Sequence, residues 1–190
     1  MNSNAEYYLK EIAKQLLEIQ IKHDGIPSSL IRQIPREFKK FIFAKAVNGR
    51  KKYFISGELR KKVKIVMTGG VFDVLHYGHV YTLVKAKSHG DMLVVVVARD
   101  ENVEKWKGKR PIHNQDYRRE MVEQLKPVDV ALVGGKDRME TFNRILPDVV
   151  VFGYDQAPFA QMPGCKSVKL KTPINDRMFK SSKIKEHMGV

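Results

Sequence analysis

Twelve residues, Thr68-Gly69-Gly70-Val71-Phe72-Asp73-Val74-Leu75-His76-Tyr77-Gly78-His79, hold the densest chemistry in the chain. Two adjacent glycines after a strand-like run let the backbone turn sharply and approach a ligand closely. Beyond Leu75 the sequence reads as a helix start, whose unpaired N–H groups and positive dipole end form a natural anion site. His76 and His79 stand three residues apart there, a spacing that turns both rings toward one side. Imidazoles so placed can donate hydrogen bonds to phosphate oxygens, and Gly78 between them removes a side chain that would collide with a phosphate. A zinc site would need a third ligand. His113 or Asp155 is available, but no zinc-ligand spacing is present. The glycine pattern fits neither the GxxxxGK[ST] phosphate loop nor the dinucleotide GxGxxG turn.

The elements that must position this segment follow from periodicity. From Val63 onward, short aliphatic runs at Lys64–Met67, Met92–Ala98, Val128–Val133, Asp148–Phe152 and Lys166–Leu170 read as strands. They alternate with helical stretches near 77–89, 114–126 and 137–146, and with another near 157–162. That alternation predicts a parallel sheet covered by helices on both faces. Leu93-Val94-Val95-Val96-Val97-Ala98 carries no polar alternation, as expected of a central strand buried on both sides. Such sheets bind ligands beyond the carboxyl ends of their strands.

The front of the chain has another pattern. Ala5, Tyr8, Leu9, Ile12, Ala13, Leu16 and Leu17 recur at helical steps, predicting an amphipathic helix over 4–23 that ends at Asp24-Gly25. A short helix is expected over 28–34. Pro35 should open a third, with Phe38, Phe41 and Ile42 inward, stopped by Asn48-Gly49. Lys51–Ser56 reads as a strand. The basic Arg60-Lys61-Lys62 looks like a junction, giving a module of residues 1–62 and a domain of residues 63–190.

Composition sets outer bounds. In 190 residues, 35 Lys and Arg stand against 21 Asp and Glu, a formal charge of +14. Residues 1–62 hold +8 of it, so the front third is the more basic part. Partners bearing phosphate suit such a balance. One cysteine, Cys165, excludes an intramolecular disulfide framework. No apolar run approaches the roughly 18 residues of a membrane span, and the first residues lack the pattern of a secretory signal. A cytoplasmic location, away from membranes, is the expectation.

The Thr68–His79 segment resembles the G-[TV]-F-D-x-x-H-x-G-H signature of the cytidylyltransferase-like nucleotidyltransferases. Later landmarks extend the resemblance over residues 63–190. Trp106-Lys107-Gly108-Lys109-Arg110-Pro111 is similar to the family's flexible basic loop. Arg118 stands at the family's spacing before the third strand. Lys126-Pro127-Val128-Asp129 resembles its R-Y-V-D element, with lysine in place of arginine. Gly153-Tyr154-Asp155-Gln156 follows the fourth strand, and Ser181-Ser182-Lys183-Ile184 resembles the motif that opens the last helix.

The resemblance implies a Rossmann-like, doubly wound α/β domain of the HIGH type. It also implies transfer of a nucleoside monophosphate from a nucleoside triphosphate to a phosphate monoester, with release of pyrophosphate. An acceptor phosphate is itself a nucleophile at neutral pH. Catalysis then reduces to alignment and charge stabilisation. On this reading His76 and His79 bind triphosphate oxygens, supported by backbone N–H groups of Val71 and Phe72. Lys107 and Lys109 neutralise phosphates from a closing loop. Arg118 and Asp155 serve the nucleotide, Asp155 toward its base or ribose. Ser181 and Ser182 form a second anion cradle. Mg²⁺ is expected with the triphosphate, its protein ligands unspecified.

Within the family, Ala98-Arg99-Asp100-Glu101, Arg118 to Glu123 and Gly153-Tyr154-Asp155-Gln156 look most like archaeal FAD synthases, which join the AMP of ATP to FMN. Trp106, Tyr154 and Phe159 are then available to a flavin ring. The opening strand and Ile145-Leu146-Pro147-Asp148 are similar to adenylyltransferases that make ADP-heptose. Glycerol-phosphate cytidylyltransferases, which use CTP, form a third alternative. Homodimers are common in the family. Residues 1–62 lie outside the resemblance. They read as a helical cap for the catalytic domain or for a dimer partner. A winged-helix, nucleic-acid-binding regulator is the reading from another class; Phe38, Phe41, Ile42 and Phe43 on the third helix speak against it.

Overall fold

The computed structural model describes residues 3–154, 156, 164–171 and 184. The chain divides into two compact units, residues 1–64 and 65–190.

In the first unit α1 (Ser3–His23) buries the stripe Ala13, Leu16, Leu17 and Ile21. Asp24 and Gly25, both at positive φ, end the helix. Ile26 then pairs for one residue, antiparallel, with Tyr53. Two single-turn helices follow, α2 (Ser28–Ile31) and α3 (Arg36–Lys39). Strands β1 (Ile42–Val47) and β2 (Arg50–Ile55) form an antiparallel hairpin, and α4 (Gly57–Arg60) closes the unit. Phe38, Ile55 and Leu59 are buried with the α1 stripe, and Gln20 Oε1 accepts the Ile55 N–H at 2.8 Å.

The hairpin corrects the expected third helix. Phe38, Phe41 and Ile42 do recur at helical steps, but only Arg36–Lys39 is helical. Asn48 and Gly49 sit at φ 50° and 73°, the paired left-handed conformation of a two-residue hairpin turn. Asn-Gly reverses two strands here where it was expected to stop a helix.

The second unit is a five-stranded parallel sheet in the order β5-β4-β3-β6-β7. The strands are β3 (Ile65–Gly70), β4 (Met92–Val97), β5 (Val130–Val133), β6 (Val149–Phe152) and β7 (Lys166–Lys169). Helices α5 (Tyr77–Lys87), α6 (Asp100–Lys107), α7 (Gln115–Glu123) and α8 (Arg138–Ile145) connect them. The α/β alternation and the doubly wound order agree with the sequence reading. Helix α6 departs from it, because residues expected in a loop form two helical turns.

All of β4 is buried except the half-covered Val96, so the strand without polar alternation is central. Leu83 and Ala86 of α5 and Val122 of α7 pack against Val66, Leu93, Val95, Ala131, Val149 and Val151. From β3 the chain steps one way to β4 and β5, then crosses back to β6 and β7. The order therefore reverses between β3 and β6, which opens a crevice at the strands' carboxyl ends.

Two aspartates tie the opposite edge. Asp148 accepts the Ile65 N–H through Oδ2 at 2.6 Å and returns its own N–H to the Ile65 carbonyl at 2.9 Å. Asp129 does the same with Leu93, at 2.6 and 3.0 Å, and also pairs with Lys87. The Val-Asp of the Lys126–Asp129 landmark thus works at the far rim from the histidines. Among the described residues no helix is long and apolar enough to cross a membrane.

Candidate active site

The glycine turn, the histidines and α5 meet at the carboxyl end of β3. Gly70 ends the strand. The ring of Phe72 folds back over it, so that a Cβ at Gly70 would come within 2.9 Å of that ring. Phe72 is a non-glycine residue at φ 54° and is only 4% exposed. Packing holds it in a conformation that L-residues visit at a cost. Its ring centroid lies 5.1 Å from that of His79, and the rings of His76 and His79 stack at 3.9 Å. The structure brings the two histidines together, as their spacing predicts.

Helix α5 starts at Tyr77 with His76 in extended conformation before it, and no side chain caps that start. Nδ1 of His79 is buried without a hydrogen-bond partner among the described residues. Desolvation, the neighbouring His76 and the charge of Lys107 together lower the His79 pKa to about 4. At neutral pH its ring is therefore uncharged and offers one N–H.

Lys107 is the last residue of α6, and Gly108 in left-handed conformation stops the helix. Lys109 is exposed beyond it, and Arg110 pairs with Glu104 at 3.1 Å. The basic segment is thus half helix and half loop. Trp106, 59% exposed on α6, lies on the solvent side.

Arg118, expected to serve the nucleotide, has a side chain that is 0% exposed. Nε donates to the His113 carbonyl at 2.9 Å, and Nη2 donates to the Ala98 carbonyl at 2.7 Å and to Asp100 Oδ1 at 2.6 Å. Nη1 donates to the Val71 carbonyl. A guanidinium spent on four protein acceptors is a clamp on three loops at the strand tips. It positions the glycine turn and presents no fork to a ligand. Val71, expected to serve through its N–H, is held by this clamp through its carbonyl.

Three further polar links join residues far apart in the sequence and are not legible there. Asp73, buried in the motif, accepts the His113 N–H at 3.0 Å, and His113 Nδ1 lies 3.2 Å from the Asp73 carbonyl oxygen. His113 thus fastens a loop. Among the described residues no three His, Cys, Asp or Glu side chains gather as a metal cage. Gln115 and Asp100 exchange backbone-to-side-chain hydrogen bonds at 3.1 and 3.2 Å. Gln156 accepts from Gly153 N–H at 2.9 Å and donates to the Gly69 carbonyl at 2.8 Å, spanning the crevice between β3 and β6. Polar residues flanking strand tips were the available signal. Asp155, Phe159, Ser181 and Ser182 lie outside the described residues.

Gly70→Ala is expected to drive a methyl into the buried Phe72 ring. The cost should be about 1–3 kcal/mol, the usual scale for overpacking, read as a lowered urea midpoint. An unchanged midpoint would mean that the ring can step aside.

A parallel sheet with a histidine pair and a glycine turn at its switch point defines a Rossmann-like domain of the nucleotidyltransferase class. Residues 67–185 match the family model described as cytidylyltransferase-like, and the chain belongs to that family. It is 59% identical over 92 residues to an FAD synthase from Aciduliprofundum boonei (strain DSM 19572 / T469), an overlap of 48% of this chain and 61% of that protein. The chain therefore spans under two thirds of that curated relative. Among solved structures it is similar to a lipopolysaccharide core biosynthesis protein from Thermoplasma volcanium GSS1, with 39% identity and a TM-score of 0.53. That likeness covers 57% of this chain and 96% of the other.

Proposed function

We propose that residues 65–190 transfer AMP from ATP to the phosphate of FMN, forming FAD and pyrophosphate. An oxygen of the acceptor phosphate attacks the α-phosphorus of ATP. The bond to the bridging oxygen breaks, and pyrophosphate leaves with the electron pair. The stacked His76–His79 pair beside the uncapped start of α5 carries the reading, because it supplies N–H donors where the triphosphate gains negative charge. The partial likeness to an FAD synthase supports FMN as acceptor and ATP as donor.

In this scheme His76 and His79 donate to triphosphate oxygens, with Gly78 and the backbone of Val71 and Phe72 giving close approach. Lys107 and Lys109 neutralise phosphate charge from the end of α6 and the loop after it. Asp155, Ser181 and Ser182 keep their proposed roles toward the nucleoside and a second phosphate. Mg²⁺ is part of the substrate, carried on the triphosphate oxygens and water. Arg118, Asp73 and Gln156 hold the turns that aim these groups. A cytoplasmic setting and a homodimer remain part of the proposal.

Incubation with FMN and MgATP should yield FAD by chromatography, together with equimolar pyrophosphate. A second incubation with CTP and glycerol 3-phosphate should yield nothing. CDP-glycerol there, without FAD in the first, would overturn the acceptor and the base while keeping the reaction class. Turnover of a heptose phosphate with ATP alone would favour the sugar-phosphate alternative.

A further inference from the structure

Between Arg32 and Lys52 the first unit carries eight basic residues, Arg32, Arg36, Lys39, Lys40, Lys45, Arg50, Lys51 and Lys52, against the single acid Glu37. Lys52 pairs with Asp24. The other seven are exposed, and none has an acidic partner among the described residues. Lys40 and Lys51 lie instead over the rings of Phe41 and Tyr53, at 4.9 and 5.4 Å.

Their places in the fold form two groups. Arg32, Arg36, Lys39 and Lys40 occupy the corner around α2 and α3. Lys45, Arg50 and Lys51 flank the hairpin tip at Asn48-Gly49, with Lys45 directly opposite Lys52 in the register. Lysines that only guard edge strands against aggregation would account for the two strands of the hairpin, but not for the α2–α3 corner.

The order helix, one-residue strand, helix, helix, hairpin is that of a winged-helix module. We propose that this corner and hairpin bind duplex DNA through its phosphates. Strands of six residues give a ribbon about 20 Å long, and a two-stranded ribbon fits the roughly 12 Å major groove of B-DNA. The deep, narrow major groove of an RNA duplex excludes such a ribbon. Phe43 is the one exposed aromatic residue of the hairpin, too little apolar surface to seat it in a membrane. Helix α3 is a single turn with Phe38 buried, so it offers little to read bases. The binding is therefore driven by phosphates and is weakly selective for sequence.

The test is fluorescence anisotropy of the full chain with a 20-base-pair DNA duplex from 50 to 200 mM salt. Five to seven phosphate contacts predict a slope of log K against log salt of about −4.5 to −6. Replacing Lys45, Arg50 and Lys51 together by alanine should reduce the slope by about 3 and weaken binding at least tenfold at 100 mM salt. Replacing the exposed Lys105, Lys166 and Lys169 of the second unit, an equal loss of charge, should leave binding within twofold. Circular dichroism of both variants should match the parent. Absence of binding at 50 mM salt, equal weakening by both triple variants, or binding only to an RNA duplex or to vesicles containing phosphatidylserine would overturn the proposal. None of these readouts depends on nucleotide transfer.

Discussion

His79→Ala is expected to lower turnover by about 10²- to 10³-fold, the scale for losing one donor that meets developing charge, with His76→Ala close behind. The magnitude follows from the surroundings of the ring. His79 lies between the His76 ring at 3.9 Å and the Phe72 ring at 5.1 Å, so its position is set before any ligand arrives. Its pKa, lowered to about 4 by burial, then by His76, then by Lys107, makes it a neutral donor at pH 7.

Two effects of pH follow, with opposite benefit. The folded pKa lies below the ordinary 6.5, so stability from this group is full above about 6.5 and is lost as pH falls toward 4. A bound triphosphate surrounds the same ring with negative charge and raises its pKa. Binding therefore takes up a proton, and affinity rises as pH falls from the bound pKa toward 4. Calorimetric titration at pH 5.5 in two buffers of different ionisation enthalpy should register that uptake, and His79→Ala should abolish its share. Rates within a few-fold of the parent for both histidine variants would remove the pair from the chemistry.

The second large effect belongs to Arg118. Replacing it by methionine keeps much of the volume but deserts three carbonyls, of Val71, Ala98 and His113, and the Asp100 carboxylate. A loss of about 3–5 kcal/mol is expected, the scale for removing one partner of a buried ionic network, measured by urea unfolding. Arg118→Lys should recover only part of it, since an ammonium cannot span acceptors on three separate loops. A methionine variant within 1 kcal/mol of the parent would show that these loops hold without the clamp.

Much of the second unit was readable because its signals are local. Leu93 to Ala98 needs no partner to look like a buried strand, and His76 and His79 face one way through helix spacing alone. Arg118 shows the limit. An arginine at that spacing suggests a ligand contact, and only the convergence of three distant loops reveals that its fork is occupied. Helix α6 is not legible in the sequence because it buries only Val103, so its apolar stripe is too thin to give a period. In the first unit Phe38, Phe41 and Ile42 satisfied a helical spacing by coincidence, and the Asn48-Gly49 reversal decided between helix and hairpin. Gln156 and Asp73 could be quoted as members of motifs, but their tasks depend on Gly69 and His113, far off in sequence.

The clasp that Asp129 and Asp148 make at the start of the sheet carries a lesson for redesign. Because a slip of one residue would turn every strand side chain to the wrong face, alignment needs a fastening somewhere. Here two carboxylates supply it at the rim remote from chemistry. The opposite rim is thereby released from setting register, and its loops outside the Arg118 clamp can be exchanged or lengthened to suit a new acceptor while the strands stay in step.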